Sequence, residues 1–334
     1  MALSLLPGVG GATFQSLVER FGSAAQALEA ASPAARRAAV AAADAALRAT
    51  DAAGATLLLR GDATYPPALL DLPDPPPHLY SLGDHAAAAP PAVAIVGTRS
   101  TSAYGERITR ELATAFARAG ATVVSGLARG IDAAAHRAAL DVNGRTVAVL
   151  GTGIDVPYPA AHASLHRAIA DHGLLLSEHA PGERATAGSF PRRNRLIAAL
   201  AQLVVVVEAG ARSGALITAG HALDLGRTVA AVPGPIDAPQ SAGANELLRD
   251  GAAVIASVAD AVALLGLTEP VRRPPPELGG DERTVWDSLA GGPADLDSLA
   301  ARSGLPARRC IAAVTTLELA GAVECALTGE IRRR

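Results

Sequence analysis

The chain has 334 residues and a formal net charge of −3, with 50% hydrophobic and 3% aromatic residues. It is long enough for two or three domains and too apolar for a disordered chain, and its charge argues against an indiscriminate coat for nucleic acid. All 29 cationic side chains are arginine, since no lysine occurs. Ordinary P-loop ATPase chemistry is thereby excluded, and any anion site must use Arg, backbone N–H groups or helix N-termini.

Met1-Ala2-Leu3-Ser4 lacks a basic start, and Pro7-Gly8 breaks the first apolar run, so no secretory signal is expected. No run approaches ~20 uninterrupted apolar residues, so no membrane span or membrane partner is expected either. The stretch L-L-P-G-V-G-G-A-T at 5–13 reads as the Gly-rich hairpin of a helix-hairpin-helix or sterile-alpha-motif-like element. Such a hairpin can offer backbone N–H groups to a phosphate, or can simply pack or bind protein. Glu29, Arg36, Arg37, Asp44, Arg48 and Asp51 mark the Ala-rich stretch 24–55 as soluble helices. This first region, 1–84, ends in the Pro-rich connector D-L-P-D-P-P-P-H-L-Y at 71–80.

The second region, 85–268, alternates apolar β-rich runs with helical segments. Strands are expected at 92–97, 122–125, 146–150, 174–177, 203–208 and 228–232. Runs this apolar, interleaved with helices, predict an α/β domain with a mostly parallel sheet buried on both faces. Ligands of such sheets bind beyond the carboxyl ends of the strands. Gly97-Thr98-Arg99-Ser100 there can grip a phosphate, although an ordinary βα turn with a solvated Arg is the alternative. Ser125, Gly126, Arg129 and Gly130 form a second Gly/Arg turn. Asp132 and His136 beyond it read as a capping Asp and a half-buried His; no third ligand sits at suitable spacing, so no metal is proposed.

Phe190, Arg192, Arg193, Asn194 and Arg195 are the densest cationic cluster, at a helix start signalled by Pro191. Arg there can neutralise phosphate and Phe190 can stack on an unpaired base; a solvated helix end with Phe190 in the core is the alternative. Arg212, Ser213 and Gly214 open a further helix suited to an anion. Neither Gly97 nor Gly151 begins G-x-G-x-x-G, so NAD has little support and no cofactor is expected.

Read together, V-G-T-R at 96–99, S-G-L-A-R-G-I-D at 125–132, F-P-R-R-N-R at 190–195, E-A-G-A-R-S-G-A-L-I-T-A at 208–219 and G-R-T-V-A-A-V-P-G at 226–234 resemble the DprA/Smf family. Y-P-P-A-L-L at 65–70 and G-A-N-E-L-L-R-D-G-A at 243–252 extend the resemblance over about 65–257. It implies an extended Rossmann-like fold that binds single-stranded DNA, brings RecA onto it and protects incoming strands in natural transformation. It also implies a homodimer and no settled enzymatic reaction. Arg99 matches the family's Arg after the first strand, and Phe190, Arg192, Asn194 and Arg195 match the segment beside the DNA pocket. Ser125, Gly126, Arg129 and Gly130 match the second loop, and Ser213 and Gly214 the later helix start. Where some members carry Lys before the Phe, this chain has Ala187-Gly188-Ser189; Arg192 or Arg193 is the candidate substitute. A nucleotide-processing enzyme of the lysine-decarboxylase-like phosphoribohydrolase group is the alternative, although its P-G-G-x-G-T-x-x-E motif is missing.

V-R-R-P-P-P-E-L-G-G at 271–280 lies within an expected linker, 269–280. Beyond it, 281–334 reads as three helices and a β-wing, resembling the winged-helix tail of many family members. Arg308 and Arg309 stand at the start of its third helix, where either DNA or a protein partner can be met. Cys310 and Cys325 form neither a metal spacing nor a disulfide framework, which fits a reducing cytoplasm.

Overall fold

The computed structural model describes residues 1–268, 278–326 and 329–333, and the chain divides into two units between residues 270 and 271. The first unit begins with three helices, α1 (Gly11–Phe21), α2 (Ala24–Glu29) and α3 (Pro33–Ala52). Hydroxyls cap two of them: Ser23 accepts from Gln26 N, and Ser32 accepts from Ala35 N with Pro33 in the first turn.

A nine-stranded sheet follows. Its strands are β1 (Thr56–Leu59), β2 (His78–Gly83), β3 (Ala92–Val96), β4 (Thr122–Ser125), β5 (Thr146–Leu150), β6 (Leu174–Ser177), β7 (Leu203–Val206), β8 (Thr228–Ala231) and β9 (Ala253–Val254). Their spatial order is β1-β2-β6-β5-β4-β3-β7-β8-β9. From β6 to β9 every pairing is parallel, while β1 and β2 add an antiparallel edge. The sheet therefore begins at Thr56, ahead of residue 85, where its start was expected. The Pro-rich connector delivers the chain into β2, and burial of Leu58 and Leu79 recruits both strands to the core.

Helices cover both faces: α4 (Ala103–Arg118), α5 (Ile131–Leu140), α6 (Ala163–His172), α7 (Ser189–Leu200), α8 (Gly214–Asp224), α9 (Ala242–Arg249) and α10 (Val258–Ala263). Alternation along β3 sorts the layers. Val93 and Ile95 pack with Leu112 and Phe116 of α4 and Ile131 of α5, whereas Ala92, Ala94 and Val96 pack with Leu196 of α7 and Ala219 of α8. The chain winds outward from β3 through β4 and β5 to β6, then crosses back to β7 on the other side of β3. The order reverses between β3 and β7, which makes the gap beyond their carboxyl ends the place for a ligand.

The second unit contains α11 (Gly280–Ser288), α12 (Leu296–Ser303), α13 (Ala307–Leu319) and a two-stranded wing, β10 (Val323–Cys325) with β11 (Ile331–Arg333). Val285, Leu299, Leu317 and Ile331 share its core. The Arg333 guanidinium lies 4.4 Å from the Trp286 ring centroid. Residues 269–277 of the expected linker lie outside the described residues, and Gly280 already belongs to α11. Among the described residues no helix is long and apolar enough to cross a membrane.

Candidate functional site

A cleft of about 400 Å³ lies at the reversal point. Gly97, Thr98 and Arg99 line it from the end of β3, Gly210 to Gly214 from the end of β7, and Phe190, Pro191 and Asn194 from the start of α7. Three loops far apart in sequence thus form one wall because the crossover brings their strands together.

Buried acidic and cationic groups hold these loops. Glu208 is 3% exposed, and its carboxylate accepts from Thr101 Oγ1 and Ser102 N, both at 3.0 Å, and from the Ser102 hydroxyl. Thr98 N donates to Glu208 O at 2.7 Å, so one residue after β7 fixes the loop after β3. Asp132 Oδ2 accepts from Gly126 N at 3.2 Å and Ala128 N at 3.3 Å, which folds the loop after β4 around it. Burial raises the Asp132 carboxyl above the usual carboxylate range, against the pull of Arg193 and those N–H groups. Gly130 turns into α5 at φ 75, and a Cβ there would stand 2.4 Å from Thr98 O.

The arginines of the α7 cluster separate into two kinds. Arg193 is 5% exposed. Its guanidinium donates to Gly126 O at 2.8 Å, to Val149 O, and through Nε to Asn194 Oδ1 at 3.2 Å. Burial lowers its pKa to about 10, offset by Asp132 and reinforced by Arg99. Arg195 is 7% exposed, with Nη2 on Glu178 at 2.6 Å and Nε 3.6 Å from Asp74. Both were expected to meet phosphate, and both are turned into the protein because α7 is buried without a break from Arg193 to Leu200. Arg192 stays exposed. Asn194 Nδ2 donates to Gly214 O at 3.1 Å, tying α7 to the start of α8.

The remaining expected residues distribute similarly. Arg99, Ser100, Arg129, Arg212 and Gly214 are exposed, and Ser213 caps α8 by accepting from Ala215 N at 3.3 Å. Ser125 is fully buried and donates to Ile95 O at 2.7 Å, so its hydroxyl joins strands and does not face the cleft. Gly126 is also buried, with the Arg193 guanidinium within 2.7 Å of where its Cβ would be. Phe190 is half-buried, its centroid 5.4 Å from the Arg99 guanidinium and 5.0 Å from the Tyr158 ring. His136 is fully buried, not half-buried, and its Nδ1 lies 2.7 Å from Thr146 Oγ1.

Sequence reasoning left Glu208 without a role, and Ile197 and Thr218 off the cleft wall. An acidic residue ending a Val-rich strand is the unused signal that could have pointed to Glu208; Ile197 and Thr218 look like any core helix residue. In the second unit, Arg309 is held by both carboxylate oxygens of Asp281, leaving Arg308 as the exposed cation at the start of α13 without an ion pair among the described residues.

A doubly wound α/β unit with an Arg- and Gly-lined cleft at its reversal point defines a protein of the Rossmann-like class. The chain belongs to the DprA/Smf family. The model of DNA recombination-mediator protein A matches residues 56–266, the DprA-like N-terminal HHH domain residues 3–53, and the DprA winged helix domain residues 269–326. A DprA protein of Mycobacterium tuberculosis is 47% identical over 245 residues, covering 71% of this chain and 63% of that protein. Protein Smf of Escherichia coli is 39% identical over 291 residues, covering 81% and 75%. The chain thus spans just under two thirds of the mycobacterial relative. DprA of Streptococcus pneumoniae superposes with a TM-score of 0.70 at 35% identity, covering 78% of this chain and 95% of that one. DNA processing protein A of Helicobacter pylori, whose structure concerns its single-stranded DNA binding mode, gives 0.59 at 33%, covering 64% and 96%.

Proposed function

We propose that this protein binds single-stranded DNA in the reversal-point cleft and, without catalysing a reaction, hands the strand to RecA as a recombination mediator. It would work in the cytoplasm as a homodimer, protecting incoming strands. The observation that carries the reading is a set of exposed guanidinium groups: Arg99 and Arg212 line a cleft with Phe190 in its wall, and Arg129 and Arg192 directly follow its lining residues Ala128 and Pro191. None of the four makes an ion pair among the described residues. They can neutralise phosphates while the α8 N-terminus adds N–H donors. Likeness to the H. pylori protein supports the choice of ligand.

The test is anisotropy of labelled single-stranded and duplex oligonucleotides with wild type and Arg99→Ala. Tight single-strand preference, weakened in the variant, is expected; equal or absent binding of both forms overturns the reading.

Asp132 favours a second reading, nucleotide hydrolysis, because a cleft carboxyl with a raised pKa suits a general acid. Its two backbone N–H bonds support a loop-holding role instead. Free base released from a nucleoside monophosphate, and lost in Asp132→Asn, would favour the enzyme.

A further inference from the structure

The start of α7 is a wall shared by two clefts. The second, of about 460 Å³, opens between the N-terminal hairpin and the ends of β5 and β6. Ser189, Arg192 and Arg193 face it, while Phe190, Pro191 and Asn194 face the first. Leu5, Leu6 and Leu150 give this second cleft apolar surface.

Tyr80 also lines it. The residue is 1% exposed, and its hydroxyl is buried with no hydrogen-bond partner among the described residues. Buried hydroxyls are almost always paired, so an orphan beside a cavity marks where a ligand acceptor belongs. The neighbouring His78 is committed to Ser4 Oγ at 3.0 Å.

The polar groups narrow the ligand class. Glu178 and Glu183 both line the cleft, which disfavours a phosphate inside it. They suit a flat, neutral group carrying N–H donors, and Tyr80 suits a carbonyl on the same group. An unpaired nucleobase has this pattern. Phosphates would stay at the rim, beside the exposed Arg192 and the start of α1, whose N-cap Gly10 offers no side chain to its N–H groups.

We propose that this cleft is a second base pocket on the path of one DNA strand, with the Tyr80 hydroxyl donating to a base carbonyl and the backbone crossing the α7 start at Arg192. The proposal rests on the single-strand reading of the first cleft.

The test is anisotropy of the full chain with labelled oligothymidylates of increasing length, comparing wild type, Tyr80→Phe and Gly10→Leu. Tyr80→Phe removes only the orphan hydroxyl, so its stability is expected to hold or rise. A Cβ at Gly10, on the cleft wall, meets nothing within 4 Å and the backbone sits at φ −87, so a side chain can be added there without backbone strain. Wild-type affinity is expected to climb once an oligomer is long enough to cross the α7 start. For those lengths Tyr80→Phe should lose about five-fold, the worth of one neutral hydrogen bond, and Gly10→Leu most of the gain. The shortest oligomers that bind should be unaffected by either change.

Unchanged affinity of both variants at every length overturns the second pocket and leaves the first cleft standing. So does a loss confined to Gly10→Leu, since the hydroxyl is the group the base should meet. Absence of wild-type binding at any length overturns both readings.

Discussion

Replacing Arg195 should damage the fold and leave the salt dependence of DNA binding unchanged, whereas replacing Arg99 should do the reverse. Arg195 is 7% exposed and paired to Glu178 at 2.6 Å, so Arg195→Met leaves a largely buried carboxylate without its cation. Breaking a buried pair costs about 3–5 kcal/mol. The lower end applies, because Arg195 Nε and Nη1 make no hydrogen bond among the described residues. Two exposed guanidinium groups in the cleft wall, Arg99 and Arg212, and two beside it, Arg129 and Arg192, each meeting one phosphate, predict a slope of about −3 for log affinity against log salt on a single strand. Affinity should then fall about 50-fold between 50 and 200 mM salt, and Arg99→Ala should flatten the slope by about 0.7. The assay is anisotropy across a salt series, with a urea melt of each variant. A folded Arg195→Met that flattens the slope as much as Arg99→Ala would refute the assignment of Arg195 to the protein interior.

Three further outcomes are expected. Gly130→Ala should cost about 2 kcal/mol or more in a denaturant melt, since it combines a left-handed backbone with a Cβ against Thr98 O, and DNA binding should weaken with it. Glu208→Ala should release the 98–102 loop and weaken single-strand binding by about ten-fold or more, because three donors lose their acceptor, as measured by the same anisotropy. His136 carries a sign that can be checked by pH-dependent melts. Burial lowers its pKa from 6.5 to about 3, so the folded state resists a proton that the unfolded state takes up. Its contribution is complete above pH 6.5 and should fall by about 1.4 kcal/mol per unit as pH drops from there toward 3; His136→Gln should flatten that dependence.

The central strands were legible because burial on both faces leaves unbroken apolar runs, such as Leu203–Val206, that end in Gly or Ser loops. The antiparallel edge was not. Thr56–Leu59 is only four residues long and directly follows a helical stretch, while His78–Gly83 hides behind prolines that read as a connector. The cleft was legible as loops, since Gly, Ser, Thr and Arg gather where the strands stop. Its individual arginines were not. Arg192, Arg193 and Arg195 share little more than one helical turn, and a helix enclosed on every side from Arg193 onward has no polar stripe by which to sort them. The separation depends on Val149 O, Gly126 O and Glu178, which reach α7 only through the fold.

The Arg193 guanidinium also bears on how the cleft can move. It joins α7 to carbonyls at the ends of two strands, so swinging the helix outward would strip two buried acceptors at once and expose a cation in the same step. The amides of α7 should therefore exchange with deuterium only through large-scale opening of the sheet, on the slowest timescale of the molecule. The loop bearing Arg212 lacks such a rivet and should exchange first, ahead of the Arg99 loop that Glu208 holds. The protein would then accommodate a strand by adjusting the cleft's lips around an unmoving rear wall.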